Sequence, residues 1–373
     1  MLILSPQHVR KTGKVLFIAL CTSTMTGING APQRAHSTSS LDVSPSNIVP
    51  AATTYHVVDR NGLHPVQPHY NKRQSDSKAR KFKQPKTPPD SLPSDPFAMY
   101  KYNEVVELKE LRADKIRRTI VVGDIHGSLE GFEGFLKQIK HNAKTDLIIL
   151  AGDIVAKGPQ SLEVIDKARS INAKCVRGNH DDKVIRWKGF LNSLDPKQRD
   201  DFKNDPDEFA PADLVVDSQH YHIAKDLTQK QYEYMLSCPL ILTLPEEISV
   251  HKIPVHVIHA GIDPAVDLEK QEPWVLFNIR NILKDGTPSR KKKKGDNWAK
   301  EFNAHHSKRV KDGIQDFMVL YGHDAGRQLN VKKWSIGIDT GCVYGNELTG
   351  YDVQTGDLYR SPCPEMTDDS DDD

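Results

Sequence analysis

Along the middle of the chain, short apolar runs alternate with stretches of helical periodicity. Residues 118–122 (RTIVV) and 146–150 (DLIIL) are mostly aliphatic or β-branched, and residues 174–176 (KCV) predict a third short strand. Between them, residues 128–139 and 161–171 repeat apolar positions at helical spacing. The order strand–helix–strand predicts βαβ units around a parallel sheet, so we expect an α/β fold.

The second half of the chain continues this pattern with longer interruptions. Residues 253–258 and 317–321 predict further buried strands, and residues 334–342 and 346–360 predict closing antiparallel strands with a turn at 354–357. Polar or helical stretches at about 188–247 and 264–316 predict insertions that cap the ends of the strands.

Each predicted strand ends in residue types that bind metals. They are Asp124 and His126, Asp153, Asn179 and His180, His259, and His323. Because ligands of α/β sheets bind beyond the carboxyl ends of the strands, we expect these side chains to lie together. Oxygen and imidazole donors suit Zn, Mn, Co or Fe rather than a thiolate site or an all-oxygen cage.

Charge is unevenly distributed, although the total is only +1. Residues 1–98 are net +7, residues 99–363 are neutral, and residues 364–373 are net −6. A basic stretch before the apolar run 15–21 predicts a signal peptide or single membrane anchor over 1–30, and hence the secretory pathway, with the cytoplasm as the alternative. The Pro- and Ser-rich residues 31–98 predict a disordered basic linker, and residues 364–373 a disordered acidic tail.

Composition narrows the class of protein. The chain has no apolar run of ~18 residues, which excludes a multi-span membrane protein. Five cysteines in 373 residues exclude a disulfide-stapled miniprotein, and Cys175 and Cys342 are interpreted as buried small residues.

The run RKKKK at 290–294 predicts either a track for a polyanion or a solvated loop. Only Trp298 offers base stacking beside it, so specific nucleic-acid binding is disfavoured.

The motifs GDIHG, GDIVAKG and RGNHD, at 123–127, 152–158 and 177–181, resemble those of the phosphoprotein phosphatase superfamily of metallophosphoesterases. The resemblance implies a calcineurin-like domain over 99–363, with a central β-sandwich flanked by helices and two divalent metal ions at the strand ends. It implies that Asp124, His126 and Asp153 bind one ion, and that Asp153, Asn179, His259 and His323 bind the other. It also implies that His180 protonates the leaving oxygen and that Arg177 and Lys157 hold phosphate.

Two positions depart from the protein phosphatases. Lys157 stands where they have Arg, and Ala156 stands where they have an Asp that orients the catalytic His. Together with GIDTGCVYGNELTGY, Ala156 makes the chain similar to symmetrical diadenosine tetraphosphatases and the fungal vacuolar endopolyphosphatase. The resemblance implies phosphoanhydride hydrolysis by metal-activated hydroxide, and we favour internal cleavage of inorganic polyphosphate in the vacuole.

Other functions stay open at this point. The alternatives are a diadenosine tetraphosphate hydrolase, which acts on a dinucleoside polyphosphate, a protein Ser/Thr phosphatase, and a catalytically inactive scaffold that binds polyanions. The sequence does not give the oligomeric state.

Overall fold

The structure, a computed structural model, describes residues 55–59, 62–66, 97–113, 115–211, 213–313 and 317–365. The predicted leader, most of the predicted linker and nearly all of the predicted tail lie outside these residues. The strands are β1 Tyr55–Asp59, β2 Gly62–Val66, β3 Asn103–Val105, β4 Arg118–Val122, β5 Asp146–Leu150, β6 Lys174–Cys175, β7 Ile241–Leu244, β8 Val255–Ile258, β9 Asn281–Ile282, β10 Pro288–Ser289, β11 Asp296–Asn297, β12 Met318–Tyr321, β13 Asn330–Val331, β14 Ser335–Gly337, β15 Glu347–Asp352 and β16 Leu358–Pro362.

Helices separate these strands. They are α1 Leu108–Ala113, α2 Leu129–Gln138, α3 Ser161–Ser170, α4 Asn179–Ser193, α5 Pro196–Asn204, α6 Pro206–Phe209, α7 Gln219–Asp226, α8 Gln229–Ser237, α9 Pro273–Asn278 and α10 Trp298–Lys311, with 3-10 turns at Glu246–Ile248, Leu268–Lys270, Ala325–Arg327 and Cys342–Tyr344. Within the described ranges, no helix has the length and apolar character needed to span a membrane.

Two large sheets pack face to face. The order in one is β2-β1-β16-β15-β4-β5-β6, and in the other β13-β14-β12-β8-β7-β3. Strands β4, β5 and β6 run parallel, as do β8, β12 and β14. Val121 and Ile149 of the first sheet and Val257 and Leu320 of the second share one buried apolar cluster. This confirms the predicted α/β architecture with a central β-sandwich.

Helices cover the outer faces of both sheets. Phe132 of α2 and Trp187 of α4 belong to the apolar cluster outside the first sheet, and Phe277 of α9 and Trp298 of α10 belong to the cluster outside the second. The small sheet β10-β9-β11 lies within the second predicted insertion.

Three boundary predictions need correction. Strands β1 and β2 lie inside the segment predicted as disordered, where Val57 and Val58 pair with β16, because a polar average over a long segment hides one short β-branched run. Strand β7 pairs with β3 and β8, so the first insertion ends before residue 241 rather than at 247. Strands β15 and β16 form the predicted closing pair, but β14 pairs in parallel with β12 in the other sheet.

The cysteines form bonds that the sequence did not predict. Cys175 and Cys342 are buried, as expected, but they are not free thiols: Cys175 is joined to Cys238 and Cys342 to Cys363. The first disulfide joins β6 to the end of α8, and the second joins the 342–344 turn to the residue after β16.

Candidate metal centre and phosphate pocket

The ends of five strands from both sheets converge. The residues that follow them are Asp124 and His126 after β4, Asp153 after β5, Asn179 and His180 after β6, His259 after β8, and His323 after β12. The ligand atoms of His126, Asp153 and His180 lie within 4.8 Å of one another, and so do those of Asp153, His259 and His323. Asp153 belongs to both groups, which is the position that the resemblance implies for a bridging carboxylate. The first group contains His180 where the resemblance implies Asp124, whose Oδ2 lies 3.9 Å from His126 Nε2.

Backbone carbonyl oxygens orient two of the imidazole rings. His126 Nδ1 lies 3.2 Å from the Val155 oxygen, and His259 Nδ1 lies 2.9 Å from the Ala151 oxygen. When each Nδ1 carries the hydrogen, both Nε2 atoms are left as electron-pair donors. These Nε2 atoms lie 3.4 Å and 3.3 Å from the same oxygen, Asp153 Oδ2.

Several electron-pair donors thus meet in a buried space. Asn179 Oδ1 lies 3.1 Å from His259 Nε2, and within the described residues His323 Nε2 is buried without a hydrogen-bond partner. Burial opposes a proton on His259, but the charge and hydrogen bond of Asp153, the Ala151 carbonyl oxygen and the charge of Asp181 together outweigh it and raise the pKa of His259. The metal-free site therefore attracts positive charge where these donors converge.

The remaining groups also fit cations. Burial lowers the pKa of His126 to about 3 and the pKa of His323 well below its usual value, so both rings are neutral, as metal ligation requires. Burial, and then Asp339 and Asp153, raise the pKa of Asp124 well above its usual value. Neutral imidazoles and crowded buried carboxylates fit divalent cations at two adjacent positions that share Asp153.

The backbone around these ligands is strained. His126, Asp153 and His323 have φ angles of 49°, 48° and 71°, in the left-handed region that non-glycine residues rarely adopt. Gly152 has a φ of 92°, and a Cβ there would lie 2.6 Å from His259 Nδ1. The close approach of these strand ends therefore requires glycine at position 152.

A pocket of about 290 Å³ opens beside His126 and His323. Lys157, Arg280 and Lys292 contribute positive charge to its wall. The predicted phosphate ligand Lys157 is thus placed at this pocket, where its Nζ donates to the Tyr344 hydroxyl at 3.0 Å. Phosphate oxygens would meet a positively charged wall next to the metal ligands.

Arg280 and Asp339 line the pocket but were missed in the sequence. The Nη2 of Arg280 donates to the His323 carbonyl oxygen at 3.4 Å. The Nε of Arg280 has no hydrogen-bond partner in the described part of the chain. Burial raises the pKa of Asp339 to about 6. Asp339 follows β14 closely, so the rule of polar residues at strand ends could have found it, whereas Arg280 follows α9 and carries no such signal.

Arg177 corrects a prediction. Its side chain is 0 % exposed, and its Nη1 donates to the Ala98 carbonyl oxygen at 2.5 Å and to Asp182 Oδ1 at 3.4 Å. The guanidinium also stacks 5.4 Å from the centre of the Tyr100 ring. Because these contacts engage the guanidinium inside the fold, Arg177 is a structural residue and not the predicted phosphate ligand.

His180 belongs to the group with His126 and Asp153, and its ring lies edge-on to His126 with 4.9 Å between ring centres. Burial lowers its pKa well below the usual value. Asp181 is the next residue in the sequence. Its carboxylate accepts hydrogen bonds from the backbone N–H groups of Ile154 and Gly178, at 2.9 Å each, and so connects the GDIVAKG motif to the RGNHD motif. The His180 Nδ1 instead lies 2.9 Å from Nε2 of His220, a residue the sequence did not single out.

The chain is similar to several known proteins. A symmetrical bis(5'-nucleosyl)-tetraphosphatase of Vibrio parahaemolyticus is 27% identical over 280 residues, which cover 62% of this chain and 93% of that protein. A zinc-dependent endopolyphosphatase of Saccharomyces cerevisiae is 25% identical over 297 residues, which cover 74% of this chain and 87% of that protein. The crystal structure of a candidate diadenosine tetraphosphatase matches the fold with a TM-score of 0.53 at 24% identity, over 71% of this chain and 99% of that one.

The model of the calcineurin-like phosphoesterase family matches residues 117–325. This range is more than half of the chain and contains all the predicted metal ligands, from Asp124 to His323. The chain belongs to the calcineurin-like phosphoesterase family, within the metallophosphoesterases.

Proposed function

We propose that this chain is a metal-dependent phosphoanhydride hydrolase that cleaves inorganic polyphosphate internally. The observation that carries the proposal is the placement of Lys157, Arg280 and Lys292 around the pocket beside the metal ligands. Every unit of polyphosphate is charged, so neighbouring units offer oxygens to several of these side chains at once. The similarity to the yeast endopolyphosphatase supports the same substrate class and favours zinc as the metal.

The positive charge continues beyond the pocket. Residues 291–294 are exposed, and Asn281 holds this loop because its Nδ2 donates to the carbonyl oxygens of Lys291 and Lys292, at 2.7 Å and 3.2 Å. A polyanion longer than the pocket would therefore meet further lysines as it leaves. This favours a long chain over a short phosphate compound.

The chain's own residues divide the work of hydrolysis. The family uses two divalent metal ions, as the sequence predicts, and these ions when bound lower the pKa of a water molecule and offset charge on the phosphate. Lys157 and Arg280 hold phosphate oxygens and so orient the scissile bond. His180 gives a proton to the departing oxygen. A departing phosphate is less basic than an alkoxide, so the demand on His180 is modest.

A dinucleoside polyphosphate is the second candidate substrate. Tyr344, at the pocket, is 49% exposed, and its ring offers a flat surface on which a base can stack. The similarity to the Vibrio tetraphosphatase supports the same candidate.

The test offers three substrates to the protein loaded with Zn, Mn or Co: long-chain polyphosphate, diadenosine tetraphosphate and a phosphopeptide. We expect gels to show long polyphosphate shortened into medium lengths, with Asp153→Asn inactive as the control. If the dinucleotide is split while polyphosphate stays intact, polyphosphate is not the substrate. Polyanion binding without hydrolysis of any of the three would support the scaffold alternative.

We also propose that the protein works in the secretory pathway, in the vacuole, through the leader predicted at 1–30. The disulfides Cys175–Cys238 and Cys342–Cys363 support this, since such bonds persist in oxidising compartments. Thiol labelling of protein taken from the source cell checks it: free thiols at all four positions, or a cytosolic location by fractionation, would contradict the proposal.

A further inference from the structure

We propose that His220, from the insertion between α4 and β7, is the positioning residue of the proton donor His180. The inference rests on the proposed role of His180, and it holds for whichever phosphate compound is the substrate. It answers a question that the sequence leaves open, because the methyl group of Ala156 cannot form a hydrogen bond to orient that ring.

The two rings have the geometry of a direct hydrogen bond. His180 Nδ1 and His220 Nε2 lie 2.9 Å apart, and the ring planes differ by only 25°. Two imidazole nitrogens at this distance share one hydrogen, so one donates and the other accepts. When His180 Nδ1 donates to His220, Nε2 is the free nitrogen of the ring. It takes up a proton from solvent, which makes the ring an imidazolium, and passes that proton to the departing oxygen, which leaves a neutral ring still hydrogen-bonded to His220. His220 therefore selects both the orientation of the His180 ring and the nitrogen that reacts.

Other groups near His180 are engaged elsewhere. Asp181 accepts from the backbone N–H groups of residues 154 and 178, and the Nδ1 of His126 faces the Val155 oxygen. In the part of the chain that the structure describes, no other side chain hydrogen-bonds the His180 ring. The positioning role therefore falls to His220.

His220 is itself fixed to the site. Its neighbour Gln219 accepts a hydrogen bond from the Lys157 backbone N–H at 2.6 Å and donates one to the Gly158 carbonyl oxygen at 3.2 Å. Tyr221, on the other side, packs edge-on against Trp187 of α4 with ring centres 5.1 Å apart. These contacts hold the start of α7 between the motif that contains Asp153 and the helix that contains His180. His220 thus sits in a defined place and orients His180 without adding negative charge.

The kinetic test uses the metal-loaded protein and two aryl phosphates, one with an activated nitrophenolate leaving group and one with unactivated phenolate. His220→Leu removes the acceptor and should lower kcat for the phenolate ester about 10- to 100-fold, with little change in KM, since only the step that needs a proton donor is affected. The nitrophenolate ester should react almost as in wild type. Metal content should not change.

Three further variants sharpen this test. His220→Gln restores an acceptor of similar reach and should recover most of the lost rate. His222→Leu makes the same change at an exposed position of α7 and should behave as wild type. The double variant His180→Gln/His220→Leu should be no slower than His180→Gln alone, because the two residues act as one unit.

NMR of protein with ¹⁵N-labelled histidine gives a readout that needs no substrate. We expect His180 to carry its proton on Nδ1 in wild type and to lose that fixed tautomer in His220→Leu. A wild-type His180 protonated only on Nε2 would overturn the inference, as would equal rate losses on both esters or additive effects in the double variant. A wild-type rate on the phenolate ester for His180→Gln would remove the proton-donor role of His180 and the inference with it. Failure to cleave polyphosphate would leave both intact.

Discussion

At the scale of single residues, the side chains that bind metal lower the folding stability of the metal-free protein. Asp124 is buried, and its pKa is raised well above the usual value by burial and then by Asp339 and Asp153. At neutral pH its charge therefore costs free energy in the folded, metal-free protein, while the same charge is what binds a cation. Such ligands lower the folding stability until a metal ion binds to them.

Asp124→Asn should make the metal-free protein more stable and the enzyme inactive. A raised pKa in the folded state means that the unfolded state holds the charge more easily, so a neutral isostere should add about 1 kcal/mol at pH 7. Thermal unfolding in a chelator measures this. The control Asp146→Asn should do the opposite and lower stability. Burial alone would raise the pKa of Asp146, but the hydrogen bonds from Arg118 and the Asn142 N–H, with the charge of Arg118, together lower it.

His256 predicts an acid-sensitive contribution to stability away from the metal ligands. Burial lowers its pKa to about 4, while an unfolded histidine titrates near about 6.5. Between pH 6.5 and 4, roughly, His256 takes up a proton in the unfolded chain but not in the folded protein. The free energy of unfolding therefore falls as pH falls, by up to about 3 kcal/mol. His256→Asn keeps a partner for Thr243, which lies 3.0 Å from His256 Nδ1, and should flatten this dependence in denaturant melts from pH 7 to 4. Parallel curves for wild type and variant would contradict it, and the exposed His222→Asn is the control.

At the scale of elements, the sequence predicts the features that depend on residues close together in the chain. The aliphatic strands and the polar residues after them are found, because burial on both faces gives continuous apolar runs. The partners of Arg177 are not found, since Ala98 lies far away in the chain and only the folded structure brings its carbonyl oxygen to the guanidinium. The same reason hides Arg280 at the pocket and the pairing of Cys175 with Cys238, which are 63 residues apart.

The basic loop gives a prediction at this scale. Changing the exposed Lys291, Lys293 and Lys294 to Gln should lower kcat/KM for long polyphosphate about 3- to 10-fold, because local positive potential raises the rate of encounter with a polyanion. A short substrate such as tripolyphosphate should be little affected. The matched control removes the same charge from exposed lysines on other elements: Lys109, Lys144 and Lys230. Equal losses in both variants, measured across a salt series, would show that the loop has no special role.

At the scale of the whole molecule, the metal site joins the two sheets. Asp153 comes from the sheet that contains β5, whereas His259 and His323 come from the sheet that contains β8 and β12. An ion bound by residues of both sheets stabilises their packing and not one loop alone. Metal binding should therefore appear in global unfolding.

Adding zinc should raise the Tm of the metal-free protein as one cooperative transition. At a free concentration one hundred times Kd, each site adds about 2.7 kcal/mol. Calorimetry with and without a chelator measures this, and Asp153→Asn should respond much less, since the carboxylate shared by both groups is gone. A Tm unchanged by zinc in wild type would mean that the ions contribute nothing to the packing of the sheets.

The bond between Cys175 and Cys238 also bears on how the protein would respond to proteases. It closes a covalent ring that contains α4 to α8, and inside this ring Val215 is 70% exposed. A single cut there would separate His180 and His220 onto different peptides that stay joined through sulfur. The cut protein would migrate as one chain until a reductant is added, and the two histidines would remain held by the folded sheets and helices around them.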